Sequence, residues 1–227
     1  MTTAPLSVIV FDVNETLSDM SQMGARFGEV GVPPELAKLW FASLLRDGFA
    51  LTASGDNPSF AEIGANTLRT LFSGRDLDRP LEHAVDHVMA GLGELGVHPD
   101  VVGGIRGLAA AGFRLVTLSN GSARIAGKLL SGAGIRESFE ALLSVEDAPA
   151  WKPARTSYEY AAAESGVDAA AMMLVAVHPW DIHGAARAGL RTAWLNRAGA
   201  SYPAHFEAPD VTVTALTDLP GALASTH

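Results

Sequence analysis

Cysteine is absent from this 227-residue chain. That excludes a disulfide framework, a thiolate zinc site and a cysteine nucleophile together. Lysine is scarce: Lys38, Lys128 and Lys152 are the whole complement, and the other thirteen basic residues are Arg. With 16 Lys and Arg against 25 Asp and Glu, the net charge is −9. The basic footprint of a nucleic-acid binder is therefore missing. No apolar run approaches the roughly 18–20 residues of a membrane helix. Met1 to Pro5 leads straight into the short run Leu6 to Phe11, which is too brief for a signal peptide. The expected partners are thus neither nucleic acid nor membrane, and the expected location is cytoplasmic. Repeats and low-complexity tracts are absent too.

What remains is a good core-forming composition, 48% apolar and 18% charged, which suits one large domain or a core with an insertion. Leu6 to Phe11 is short, apolar and β-branched, as expected of a strand buried on both faces of a parallel sheet. Similar runs recur at Phe113–Leu118, Met172–Val177 and Thr192–Leu195, with Val211–Val213 as a final edge. Helical patterns lie at about 103–111, 123–133, 155–165 and 182–188. Gly112, Gly134, Gly166 and Gly189 stand where those helices should stop. This alternation predicts an α/β fold, a doubly wound parallel sheet of Rossmann-like form. Residues 17–99 lack buried-strand patterns and read as three helices. One follows Pro33-Pro34, one spans Phe60 to Phe72, and one opens at Pro80. The expected organisation is a core of residues 1–16 and 100–227, with an all-helical cap inserted at 17–99. The cap would sit over the carboxyl ends of the strands, where open α/β sheets bind ligands.

Four strand ends carry polar chemistry. Asp12 closes the first run in Phe11-Asp12-Val13-Asn14-Glu15-Thr16. It suits a nucleophile, a base or a metal ligand, and its plainer reading is a turn residue. Ser119-Asn120-Gly121-Ser122 offers hydroxyl, amide and helix-start donors for an anion, or simply a helix cap. Lys152 stands between Trp151 and Pro153 in an Arg-rich chain, which suggests a need for a compact point charge. Val177-His178-Pro179-Trp180-Asp181 adds an imidazole and a carboxylate. His83 and His87 share a helix face, but a third metal ligand at suitable spacing is missing, and a surface role is the plainer reading.

Four motifs in this order resemble the haloacid dehalogenase superfamily, and within it the type II 2-haloacid dehalogenases. The resemblance spans nearly the whole chain. It implies Asp12 as nucleophile, Thr16 supporting its loop, and Ser119 and Asn120 holding a substrate carboxylate. Asn14 and Trp180 are counted with the substrate pocket. Lys152 would stabilise charge beside Asp12, and Asp181 would orient Lys152. Tyr158 would help set the substrate or halide pocket, and Arg46 would receive the departing halide. A short 2-haloacid as substrate, halide as product, no cofactor or metal, and a homodimer are likewise implied.

Asn14 stands where phosphatases of the superfamily carry an acid, and Trp180 and Ile182 flank Asp181 where they pair acids for Mg²⁺. A halide leaves without protonation, so both departures favour dehalogenation. An Mg²⁺-dependent phosphatase or phosphonatase, a hydrolase of the same superfamily with another substrate, and a catalytically quiet binding protein are the alternatives. Many of the dehalogenases have Tyr where Asn14 stands, and Ser and Asn where this chain has Ala176 and His178. We therefore expect a replacement for the water-holding residues: His178 as base for the hydrolytic water, oriented by Glu15.

Overall fold

The computed structural model describes residues 5–225. Six parallel strands form one sheet in the order β3-β2-β1-β4-β5-β6. They are β1 (Val8–Phe11), β2 (Arg114–Ser119), β3 (Ala141–Ser144), β4 (Met172–Ala176), β5 (Arg191–Leu195) and β6 (Val211–Val213). The predicted α/β class holds: β1 lies centrally and is wholly buried, which explains its unbroken apolar sequence. β3 is absent from the sequence pattern. Its four residues, Ala-Leu-Leu-Ser, are too short to carry a period of their own. They are recognisable only once Val116 to Ser119 pairs with them.

Register puts the chemistry on one rim. Phe11 pairs with Thr117 on one side and Val175 on the other. The loops leaving β1, β2 and β4 therefore emerge together at the carboxyl edge, where ligands bind to open parallel sheets.

Between β1 and β2 run α1 (Met23–Gly28), α2 (Leu36–Ser54), α3 (Phe60–Phe72), α4 (Leu81–Gly91) and α5 (Val101–Ala110). Ser18 and Val97 form an isolated antiparallel bridge. The chain thus leaves the sheet and returns to it at a single point. α3 has the predicted bounds, with Ser59 capping it by accepting the Glu62 amide. α1, only six residues long, has no legible period. The remaining helices, α6 (Ala123–Gly132), α7 (Arg155–Ser165), α8 (Pro179–Ala188) and α9 (Leu219–Ala224), cover the sheet. No helix among the described residues is long and apolar enough to cross a membrane.

The helical layer is keyed to the sheet by aromatic packing. Trp151 stacks on Phe60 at 6.0 Å and donates its indole N–H to the Pro58 carbonyl. A Cβ on Gly48 of α2 would fall 2.5 Å from the Trp151 ring, a distance real contacts do not reach. Gly48 therefore allows α2 to rest on the residue next to Lys152. Gly48→Ala is expected to destabilise the fold by about 1–3 kcal/mol through overpacking. Thermal unfolding of the variant checks this.

Candidate active site

Asp12 comes directly after β1 and is 4% exposed. Its two oxygens have different partners. Oδ1 accepts from Lys152 Nζ at 2.9 Å, and Oδ2 from Thr16 Oγ1 at 2.6 Å. Oδ2 also lies 3.1 Å from His178 Nδ1. Burial opposes the negative charge, but Lys152, His178 and Thr16 outweigh it and hold the carboxyl well below its ordinary range. Asp12 is therefore a carboxylate at any physiological pH. Thr16 in turn accepts the Val177 amide at 3.1 Å, tying the loop after β1 to the end of β4.

Lys152 is fully buried and bridges two carboxylates, with Asp181 Oδ2 at 2.7 Å. Burial would lower its pKa, yet the two negative neighbours raise it, so it remains an ammonium. Asp181, in the first turn of α8, is itself pushed up by burial while Lys152 pulls the other way. The backbone around Lys152 is fixed by Asn120: its Oδ1 accepts the Lys152 amide at 3.0 Å and its Nδ2 donates to the Lys152 carbonyl at 3.2 Å. The Asn120 side chain thus orients Lys152, a task expected of Asp181 alone.

Ser119 ends β2, and its Oγ accepts the Gly121 amide at 2.9 Å. Ser119, Gly121 and Asn14 line a narrow recess with Phe60. A Cβ on Gly121 would stand at ordinary contact distance from the walls of the recess, 3.4 Å from Ser119 Oγ and 3.5 Å from Asn14 Nδ2.

On the other side of Asp12, His178 stands between two carboxylates. Its Nε2 is 2.8 Å from Glu15 Oε2. Trp180 stacks against the imidazole at 5.0 Å, and Phe49 of α2 packs edge-on to Trp180 at 4.9 Å. Trp180 thus supports the imidazole. Burial would lower the His178 pKa, but the hydrogen bonds to Asp12 and Glu15 prevail and push it up to about 9. With an acceptor at each nitrogen, the ring is an imidazolium at neutral pH. In that state it has no lone pair for a water proton, so the expected base is not ready in the resting site. Glu15 reaches the ring from a left-handed backbone, φ 61°, which costs a residue with a side chain roughly 1–3 kcal/mol. A wide cleft of about 900 Å³ opens beyond this pair, lined by Glu15, His178, Phe41, Lys38, His98 and Arg197 among others.

Two expected positions fail. Arg46 is 71% exposed on α2 and pairs only with its neighbour Asp47. Phe41, Gly48 and Thr52 face the loops beyond β3 and β4, Gly48 and Thr52 against Trp151 and Phe41 6.4 Å from the His178 ring. At 3.6 residues per turn Arg46 projects from the opposite face. It cannot receive a halide there; from α2, Phe41 and Lys38 line the cleft and Phe49 packs on Trp180. Tyr158 is fully buried behind Asp181, donating to Asp181 Oδ1 at 2.6 Å. It steadies Asp181 and lines neither the recess nor the cleft.

A buried carboxylate clamped by a lysine at the end of the first strand suits nucleophilic displacement. Residues 6–189 match the family model of haloacid dehalogenase-like hydrolases. The chain belongs to that family. Among relatives of these hydrolases, an (S)-2-haloacid dehalogenase of Pseudomonas sp. (strain YL) is 31% identical, over 92% of this chain and 90% of the relative. Haloacetate dehalogenase H-2 of Moraxella sp. (strain B) is 30% identical, over 92% and 93%. A solved L-2-haloacid dehalogenase is 27% identical, covers 97% of this chain and 100% of its own, and superposes with a TM-score of 0.88. The family's phosphatase branch is not favoured by these relatives.

Proposed function

We propose that this hydrolase removes halide from short 2-haloalkanoic acids, the L enantiomer in particular, and releases 2-hydroxy acids through an ester on Asp12. The observation that carries the reading is the Asp12 carboxylate, buried, ionised and bonded to Lys152. The named activities of the relatives support it. Residues 17–99 serve as the cap, the location is cytoplasmic, and the enzyme works as a homodimer without metal or cofactor.

The substrate carboxylate lies in the recess of Ser119, Gly121 and Asn14. An Asp12 oxygen attacks C2 in line, the carbon–halogen bond breaks, and C2 inverts. Halide departs toward the aromatic wall of Phe41 and Phe60, whose ring edges carry partial positive charge. Esterification removes the negative charge of Asp12. His178 then keeps only Glu15 as a carboxylate partner, and its pKa falls. The Nδ1 proton passes to solvent, while Nε2–H stays on Glu15. The freed Nδ1 takes a proton from water, which attacks the ester carbonyl carbon. The acyl–oxygen bond breaks, the second proton of the attacking water passes from the new Asp12 carboxyl to the leaving alkoxide, the 2-hydroxy acid leaves, and the Asp12 carboxylate and the imidazolium are both restored. The one proton released overall is lost with the halide, in the first half of the cycle.

The test is halide release from L- and D-2-chloropropionate in EDTA, beside p-nitrophenyl phosphate with Mg²⁺. Chloride from the L form alone is the expected result. Turnover confined to the phosphate with Mg²⁺ would overturn the reading.

Stability carries the same charges. The folded pKa of His178 is raised, so its contribution is fully present below the unfolded value near 6.5 and is lost as pH rises through about 9. Asp12 acts oppositely: its contribution is present above the ordinary carboxylate value and is lost as pH falls below its depressed one. The stability gap between wild type and His178→Gln is therefore expected to shrink from pH 6.5 to above 9. Urea unfolding across that range checks the sign.

A further inference from the structure

The backbone of Glu15 is held from outside the site. Its carbonyl oxygen accepts from His98 Nε2 at 3.0 Å and from an Arg197 guanidinium nitrogen at 3.5 Å. The same Arg197 nitrogen donates to the Thr16 carbonyl at 2.9 Å. Arg197 comes after β5, and the rest of its guanidinium forks onto Asp100 at 3.0 to 3.1 Å. Asp100, just before α5, also accepts the Leu216 amide at 2.7 Å. Burial would raise the Asp100 carboxyl, but Arg197 and that amide hold it below its ordinary value. The planar fork is thus directed between a fixed carboxylate and two carbonyls of one loop, a geometry lysine cannot reproduce.

The carbonyls gripped are those of the one non-glycine residue with positive φ among the described residues and of its neighbour. A strained conformation persists only where surrounding contacts over-determine it. Here those contacts are Arg197 and His98, with the Ser18 hydroxyl accepting the Glu15 amide at 3.3 Å.

We infer that Arg197, anchored by Asp100, is a positioning residue that locks the left-handed bend at Glu15 and so aims the Glu15 carboxylate at His178. It touches neither Asp12 nor His178. This inference rests on the proposed pairing of Glu15 with His178 in ester hydrolysis, and it deepens that reading. The groups facing the imidazole are Asp12, Glu15, Phe41 and Trp180. Lys38, His98 and Arg197 line the cleft beyond it. Loss of the bend removes the direct Glu15 contact and lowers the midpoint, whereas loss of the Arg197 cation by itself would raise it, so the two effects differ in sign.

The experiment tracks the His178 ring by NMR titration in wild type, Arg197→Lys, Arg197→Met, Glu15→Gln and the Arg197→Met/Glu15→Gln double variant. Thermal unfolding is recorded for each, and His98→Ala provides a milder loss of the same carbonyl contact. Arg197→Met and Glu15→Gln should both lower the titration midpoint, and the double variant should lower it no further than Glu15→Gln. Arg197→Lys should not restore it. In single turnovers with L-2-chloropropionate, Arg197→Met should slow ester hydrolysis about 10–100-fold and leave halide release nearly unchanged. A lower midpoint in Glu15→Gln with an unchanged one in folded Arg197→Met overturns the inference, as does full additivity. An unchanged midpoint in Glu15→Gln overturns the pairing as well. The expected midpoints without dehalogenation would uphold Arg197 and remove the proposed activity. If Arg197→Met does not fold, His98→Ala decides by the same midpoint.

Discussion

Asp12→Asn abolishes halide release, with a loss of about 10⁶-fold in kcat, the scale seen when a catalytic nucleophile is removed. The amide preserves size, its oxygen still accepts from Lys152, and the Thr16 hydroxyl can turn to accept from the amide nitrogen, so the fold survives. The substitution removes the anionic oxygen that must form the bond to C2. Neither bound neighbour can replace it. Lys152 is an ammonium between two carboxylates, and Glu15 is separated from Asp12 by the His178 ring. The measurement is chloride release from L-2-chloropropionate, with circular dichroism to establish folding. Retained turnover would mean that another group attacks.

His178→Ala separates the two half-reactions. Halide release continues for one equivalent, because Asp12 keeps Lys152 as its counter-cation. Hydrolysis of the ester then slows by about 10²–10⁴-fold, the usual worth of a positioned general base. The ester accumulates on Asp12 and is visible as a mass increase of the intact protein. A burst of one chloride per site, then slow turnover, is the kinetic signature. The charge arrangement adds a detail a neutral base would lack. His178 begins as an imidazolium, pushed up to about 9, so wild type must shed one proton with each halide. Stopped-flow with a pH indicator should show that proton in the burst phase, and His178→Ala should lose it.

Much of this site is legible in the chain because a parallel sheet collects its strand ends. The apolar runs before Asp12, Ser119 and His178 each announce a buried strand, and parallel register brings the loops beyond them to one rim. The His178–Glu15 contact could be anticipated for the same reason: their strands are neighbours. Arg46 marks the limit of motif spacing. Distance along a helix says nothing of angle, and 100° per residue from Phe41 turns Arg46 to solvent. Tyr158 has the expected neighbourhood but a greater depth, since a phenol on α7 reaches Asp181 before it can reach a pocket. Asn120 reads as a ligand for substrate because hydrogen bonds to a distant backbone leave no trace in sequence. Arg197 is the extreme case: its partners lie 97 and 182 residues away in Asp100 and Glu15. The one available signal is Glu15 itself, a charged residue in a tight loop where left-handed backbone favours glycine.

In the proposed cycle Asp12 becomes an ester and water attacks its carboxyl carbon. A single turnover in H₂¹⁸O, with enzyme in excess over L-2-chloropropionate, tests this most directly. Mass spectrometry of the peptide holding Asp12 should find one ¹⁸O in the carboxylate, with unlabelled 2-hydroxypropionate as product. Label in the product and none in Asp12 would mean that water attacks C2 directly, and would contradict the account.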